Sequence, residues 1–98
     1  MRILKRLAIE EFFYDHKDSE TALKDWFVKT KNAEWDSFSD IKNTFNSVDY
    51  IGKQHYVFNI KGNSYRLVVV IKFTIKTVYI RFIGTHAEYS KIDDCSTL

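Results

Sequence analysis

The sequence predicts an α+β fold, in which an N-terminal helical hairpin packs on one face of a small antiparallel β-meander and a short C-terminal helical segment follows. Two observations carry this prediction. Apolar residues recur every three to four positions in the first half of the chain and alternate with polar residues after Gly52. The alternating runs are joined by links too short for anything but antiparallel neighbours. With 98 residues, 45% of them hydrophobic, the chain is predicted to form one domain over residues 1–98.

Three helical segments are predicted before Gly52. The first covers residues 4 to 12, where apolar side chains fall on one stripe of a helix. Asp18 and Ser19 are suitable caps for a second helix that continues to about Lys31. A third, shorter segment is predicted between residues 35 and 45, with Ser37 or Ser39 as its cap.

Three strands are predicted in the second half, at residues 55 to 61, 64 to 74 and 77 to 83, which are rich in Val, Ile, Tyr and Phe. Gly62 and Asn63 form the first connection, because both tolerate the positive φ that tight hairpin turns require. Ile75 and Lys76 are predicted to form the second.

Charge is distributed unevenly along the chain. Residues 1 to 50 hold 8 Lys/Arg and 10 Asp/Glu, whereas residues 51 to 98 hold 7 and 3, so the halves carry −2 and +4. A basic C-terminal half favours an anionic partner, with ordinary solvated lysines and arginines as the alternative. The start of the chain lacks the pattern of a secretory signal, and the longest apolar run, residues 67 to 71, is far shorter than a membrane span. A cytoplasmic protein is expected. The single cysteine, Cys95, excludes an intramolecular disulfide and a thiolate zinc cluster.

Strand alternation divides the predicted sheet into two faces. The face predicted to meet the helices is apolar and consists of Tyr56, Phe58, Ile60, Leu67, Val69, Ile71, Phe73, Val78, Ile80 and Phe82. The opposite face carries His55, Asn59, Lys61, Arg66, Lys72, Tyr79 and Arg81. Two-residue turns would place Asn59 across from Arg66, and Arg81 across from Val70 on the same side. This surface is a candidate for binding phosphate, since guanidinium groups grip phosphate oxygens in pairs. A merely solvated sheet face is the alternative.

Two segments carry a resemblance to a known family. They are VFNIKGNSYRLV at residues 57 to 68 and VYIRFIGTHAEY at residues 78 to 89. Both resemble the signature blocks of the HigB toxins of type II toxin-antitoxin systems. Weaker similarity at ALKDW (22 to 26), AEW (33 to 35) and DIK (40 to 42) extends the resemblance over residues 1 to 93.

The resemblance implies a RelE-like fold and a ribonuclease that cuts messenger RNA. In the RelE group a Tyr-Arg pair opens the central strand and its arginine stabilises the phosphate at the cut, which points to Tyr65 and Arg66. The position of the basic residue expected after the last strand is occupied by His86. Its imidazole can act as an acid or a base. Tyr89 could donate a proton or stack on a base. Asn59 stands where a lysine is common, which leaves the general base open between several groups.

The chemistry implied is attack of a ribose 2′-hydroxyl on the adjacent phosphorus, giving a cyclic phosphate without a metal or any other cofactor. The residues predicted to bind RNA are His55, Asn59, Lys61 and Arg81. Each assignment has a structural alternative: a strand end at His55, a helix cap at His86, an anchor at Tyr89, a salt bridge at Arg81, and a solvated helix residue at Glu88, which could otherwise be a base.

Partners follow from the same resemblance. They are a cognate HigA-like helix-turn-helix antitoxin, messenger RNA on the ribosome, and operator DNA only through the antitoxin. No membrane is expected. Two other functions use the same basic surface. One is a non-catalytic module that binds RNA or ribosomes, and the other is a structural partner that supports an antitoxin on DNA.

Overall fold

The computed structural model describes all residues, 1–98, and contains one sheet and four α-helices. The strands are β1 (Arg2–Leu4), β2 (Val48–Gly52), β3 (His55–Ile60), β4 (Tyr65–Lys72) and β5 (Thr77–Thr85). The helices are α1 (Leu7–Asp15), α2 (Glu20–Asn32), α3 (Phe38–Thr44) and α4 (His86–Ser90). Short 3-10 turns occupy Lys17–Ser19, Phe73–Ile75 and Cys95–Thr97. The α+β class is confirmed, and no helix is both long and apolar enough to cross a bilayer.

The sheet is mixed and has the strand order β1-β5-β4-β3-β2. The predicted meander β3-β4-β5 is present and antiparallel, and β2 adds a fourth antiparallel strand next to β3. The chain begins with β1, which pairs in parallel with β5. The helix predicted from residue 4 therefore starts later, at Leu7, because Ile3 and Leu4 pair with Val78 and Tyr79.

One face of the sheet, called here the helix face, packs against helices α1 to α3. Ile9 of α1, Trp26 of α2 and Ile41 of α3 share one buried cluster with Phe58 and Leu67. The indole of Trp26 meets the Phe58 ring edge-on, with 5.5 Å between ring centroids. This cluster is the hydrophobic core, and its burial is the main source of stability in the fold.

The first predicted hairpin has the predicted register. Asn59 pairs with Arg66, and the Ser64 N–H donates to the Lys61 carbonyl at 3.2 Å, which encloses Gly62 and Asn63 in the turn. The positive φ angles fall on Lys61 and Gly62 rather than on Asn63.

The register predicted for the second hairpin, between β4 and β5, was wrong. The 3-10 turn Phe73–Ile75 and the left-handed Lys76 take residues out of both strands, so Val70 pairs with Tyr79 and not with Arg81. A bulge follows in β5. Val69 pairs with Ile80 and Val68 with Phe82, which leaves Arg81 as the extra residue. A bulge of this kind reverses the alternation of side chains beyond it.

The face opposite the helix face was predicted to be polar, as a phosphate-binding or a solvated surface, and its centre is instead buried. Val57, Val68 and Val70 are buried there, as are Cys95 and Ser96 of the C-terminal segment. The segment is joined to the sheet by a contact of 2.9 Å between the His55 Nε2 atom and the Leu98 carbonyl oxygen. We call this the Arg66 face. It is covered at one end by residues 91–98 and open at the other end, around Arg66.

Candidate active site

Arg66 lies in the central strand β4, between Asn59 of β3 and Gly84 of β5. Its side chain is half-buried, and its guanidinium carbon lies 5.0 Å from the centroid of the Tyr89 ring. The Nε atom is buried and has no hydrogen-bond partner, and no carboxylate forms a salt bridge with the group. The positive charge of Arg66 is therefore available to an anion.

Tyr89 comes from α4 and covers Arg66. Burial and a hydrogen bond with the Cys95 thiol raise the pKa of the Tyr89 phenol, while the neighbouring Arg66 charge lowers it by less. The phenol consequently keeps its proton at neutral pH and is a donor rather than a base.

The start of α4 is fixed by its own side chains. Thr85 is the N-cap, and it forms a capping box with Glu88: the Thr85 hydroxyl accepts from the Glu88 N–H at 3.1 Å, and the Glu88 carboxylate accepts from the Thr85 N–H at 2.8 Å. These hydrogen bonds with Thr85 lower the pKa of Glu88. Glu88 is thus a capping residue of α4, and its carboxylate is engaged by the Thr85 N–H.

His86 is the first residue of α4, and its side chain is exposed. Its N–H donates to the Ser64 carbonyl at 3.3 Å, which attaches α4 to the turn between β3 and β4. His86 and Tyr89 are three residues apart on the helix, so they lie on neighbouring surface positions. The fold therefore places an imidazole near the aromatic ring that covers Arg66.

Asn59 is the cross-strand neighbour of Arg66, as predicted, but its amide nitrogen is engaged. It donates to the Ser47 hydroxyl, and the Asn59 N–H donates to the Ser47 carbonyl at 3.2 Å. The side-chain oxygen of Asn59 is buried without a partner. Asn59 therefore has one unpaired acceptor, which lies buried beside the Arg66 strand position.

Two predicted RNA-binding residues are occupied elsewhere. His55 is buried, and its ring nitrogens face the Lys53 and Leu98 carbonyl oxygens at 2.7 and 2.9 Å. Lys61 extends toward the helix face and donates to Asp18 at 2.8 Å, so it does not share the Arg66 face.

Asp18 is the centre of a small network on the helix face. It also accepts from the Tyr65 hydroxyl at 2.5 Å. The hydrogen bonds from Lys61 and Tyr65 lower the pKa of Asp18, and the bond to Asp18 raises the pKa of Tyr65. Tyr65 and Arg66, adjacent in sequence, therefore serve opposite faces of the sheet.

Arg81 does not lie across from Val70, as was predicted. It is the bulge residue of β5, and it lines a shallow depression with Lys5, Glu11 and Asp15 at the edge of the sheet that β1 leaves uncovered. Its guanidinium carbon lies 5.6 Å from the Tyr79 ring, and no salt bridge holds it. Its predicted RNA contact would be made from this edge.

The bulge brings one unpredicted residue to the Arg66 face. Phe82 was assigned to the helix face by simple alternation, but it pairs with Val68 and is half-buried. No sequence signal marks the bulge, since Arg81 differs in no visible way from a regular strand residue. The site thus combines a cation with a free charge, a protonated phenol, an exposed imidazole and a second aromatic ring.

Comparison with known proteins supports one family. Residues 19–92, which include all the candidate site residues, match the model of the HigB toxins, described as the RelE-like toxic component of a toxin-antitoxin system. The chain is 33% identical over 92 residues to the mRNA interferase toxin HigB of Escherichia coli K12, covering 91% of this chain and 88% of that protein. The mRNA interferase HigB of Shigella flexneri is similar to the same extent. The mRNA interferase HigB of Escherichia coli O6:H1 is 24% identical over 94 residues, with coverage of 94% and 91%.

Proposed function

This chain belongs to the HigB toxin family, and on that premise we propose that it is the toxin of a type II toxin-antitoxin system, an mRNA interferase that cuts messenger RNA and so stops translation and growth. The observation that carries the proposal is Arg66. Its guanidinium group is half-buried against Tyr89 and has no carboxylate partner, as a phosphate-binding arginine should be.

The proposed reaction is an internal phosphoryl transfer. The ribose 2′-oxygen attacks the adjacent phosphorus, the bond from phosphorus to the 5′-oxygen breaks, and the products are a 2′,3′-cyclic phosphate and a free 5′-hydroxyl. His86 takes the proton of the 2′-hydroxyl, and Tyr89 gives its proton to the leaving 5′-oxygen. The raised pKa of Tyr89 supports this division of roles, since it favours the protonated phenol.

Arg66 stabilises the negative charge that builds up on the phosphorane oxygens. Asn59 contacts the RNA from its place across the strand from Arg66, and Arg81 contacts a flanking phosphate from the edge of the sheet. His55 and Lys61 would first have to leave the Leu98 carbonyl and Asp18, so they are weaker candidates for RNA contacts. The proposed mechanism uses protein side chains alone and requires no metal.

The fold proposed is RelE-like, a single domain in which α1 and α2 form a hairpin on the helix face. The proposed partner in the resting cell is a HigA-like helix-turn-helix antitoxin, which also links the toxin to operator DNA. The net charge of +4 on residues 51 to 98 favours an acidic partner surface. The proposed place of action is the cytoplasm, on messenger RNA engaged by the ribosome.

The test uses purified chain and an RNA of defined sequence, with and without ribosomes and with a chelator of divalent ions. We expect cuts whose ends are a 2′,3′-cyclic phosphate and a 5′-hydroxyl, at a rate that the chelator leaves unchanged on naked RNA. Cleavage that disappears with chelator and returns with a divalent metal would contradict the metal-free mechanism. Binding of RNA or ribosomes without any cut would instead favour a non-catalytic module.

The partner is tested separately by expressing the chain together with the product of the neighbouring gene. We expect the two proteins to co-purify and the co-purified toxin to be inactive. Recovery of the chain alone and fully active from such cells would contradict the proposed antitoxin.

A further inference from the structure

Phe82 occupies an unusual place for a large apolar residue. Ile80 and Ile83, on either side of it in β5, belong to the helix-face core or pack against it, whereas Phe82 does neither. The bulge at Arg81 is the reason, because it turns Phe82 to the side of Val68 and Arg66. The ring is half-buried and keeps part of its surface open to solvent.

The Phe82 ring lies against Gly84, which has no Cβ atom to exclude it. A Cβ atom added at Gly84 would come within 2.5 Å of the Phe82 Cζ atom, so the ring lies directly over the glycine backbone. Gly84 is the cross-strand partner of Arg66. The Phe82 ring therefore lies over the strand position next to Arg66, and Tyr89 contacts the guanidinium group 5.0 Å away. Arg66 thus contacts one aromatic ring, Tyr89, and its cross-strand partner Gly84 lies under a second, Phe82.

We propose that Phe82 stacks on a nucleobase of the bound RNA, next to the phosphate that Arg66 holds, and so positions the strand for cleavage. The inference rests on the proposed function. Single-stranded RNA is recognised by splaying its bases onto aromatic side chains, and a benzyl ring offers a face without hydrogen-bonding groups. Phe82 accordingly positions any base, so it sets how tightly the RNA is held rather than which base is chosen.

The experiment first maps a cut made by the parental protein in a short RNA. That RNA is then made with a 2′-deoxy sugar at the cut, so that it binds without being cleaved, and with 2-aminopurine on either side of the cut. Stacking quenches 2-aminopurine fluorescence, and burial of the ring against protein alone does not. The variant is Phe82→Leu, which retains apolar bulk over Gly84 and removes the aromatic face. The matched control is Tyr50→Leu, which removes an aromatic ring that is 52% exposed on β2.

We expect the parental protein to quench the probe and Phe82→Leu to lose the quenching at one of the two positions. Binding of the deoxy RNA should weaken by about 5-fold to 150-fold, with cut positions unchanged and Tyr50→Leu like the parent. Parental quenching and affinity in a folded Phe82→Leu variant would overturn the stacking. The proposal would also be overturned if Phe82→Leu bound RNA normally but no longer bound the antitoxin, because the ring would then contact a protein and not a nucleobase.

A second variant keeps the test valid if Phe82→Leu does not fold. Phe82→Trp retains a stacking face, and its indole fluorescence should fall on adding the deoxy RNA. Trp26 and Trp35 are only 1% and 3% exposed, so they should not respond. An unchanged indole signal, with RNA bound, would overturn the proposal. If the parental protein cuts no RNA either with or without ribosomes, the proposed function fails; if it cuts RNA and these variants behave like the parent, only the stacking fails.

Discussion

The helix face and the Arg66 face of the sheet are built from the same strands, yet the residues that carry unpaired polar atoms differ in exposure between them. Both faces contain buried polar atoms without partners. On the helix side these are the Trp26 indole nitrogen and the Thr30 hydroxyl, in residues 1% and 0% exposed. On the other face they are the Arg66 Nε atom and the Asn59 side-chain oxygen, which are themselves buried but belong to half-buried residues. A fully enclosed residue cannot contact a ligand, whereas the exposed part of a half-buried residue can, so one face stabilises the fold and the other keeps polar residues accessible for binding.

The largest expected effect is on the helix face. Phe58→Ala removes a ring that contacts Trp26, Trp35 and Phe45, and it should lower the free energy of unfolding by about 3–5 kcal/mol. Urea unfolding measures the change. RNA cleavage per folded molecule, assayed at low temperature, should stay near the parental rate. Loss of cleavage in a demonstrably folded variant would show that the two faces are not separable.

Arg66→Ala should have the converse effect. Removal of the guanidinium group should slow cleavage by about 10²-fold to 10³-fold and abolish growth arrest on expression. The stability cost should be limited to the stacking on Tyr89, about 0.5–1 kcal/mol. Arg66→Lys is the control, because it keeps the charge but loses the planar pair of donors and should recover only part of the rate. A well-folded Arg66→Ala protein as toxic as the parent would refute the assignment.

His86→Gln should slow cleavage by about 10²-fold and leave the thermal midpoint unchanged, since the ring is exposed. A lower thermal midpoint with an unchanged rate would make His86 structural rather than a proton acceptor.

The smallest expected effect concerns Asp18 and the pH dependence of stability. Its pKa is lowered in the folded protein by the hydrogen bonds from Lys61 and Tyr65. The contribution of the carboxylate to stability is therefore present above about pH 4, the ordinary range of Asp, and is lost as pH falls below it. Thermal midpoints of the parent and of Asp18→Asn should differ slightly at pH 7 and converge near pH 3. Cleavage near pH 7 should be the same, and a marked difference would connect this network to the site.

Local patterns predicted the parts of the fold that depend on local chemistry. The Gly62-Asn63 turn set the register of Asn59 and Arg66, and the resemblance led to Tyr89, whose ring the structure places against Arg66. The errors arose where distant residues decide the structure. β1 is only three residues long and forms through pairing with a strand more than 70 positions away. The bulge at Arg81 changes the face of every later residue in β5 without any mark in the sequence.

The C-terminal cover was missed for a related reason. Residues 91 to 98 read KIDDCSTL and are mostly polar, and no periodicity in them indicates that Cys95 and Ser96 will be buried. Their burial depends on the valines of the Arg66 face and on the contact of His55 with Leu98. Such packing is a property of the assembled sheet and is not visible in the segment itself.

The bulges also bear on how the free protein avoids self-association. Outer strands with unpaired backbone groups invite another chain to add to the sheet, and natural proteins discourage this with bulges and charges. Here β5 has its bulge and the charged Arg81 on the length that β1 leaves uncovered, and β2 is interrupted between Tyr50 and Gly52. Neither border offers a long regular template to a second copy. A toxin released from its inhibitor would thus stay dispersed rather than accumulate in fibrillar or amorphous aggregates.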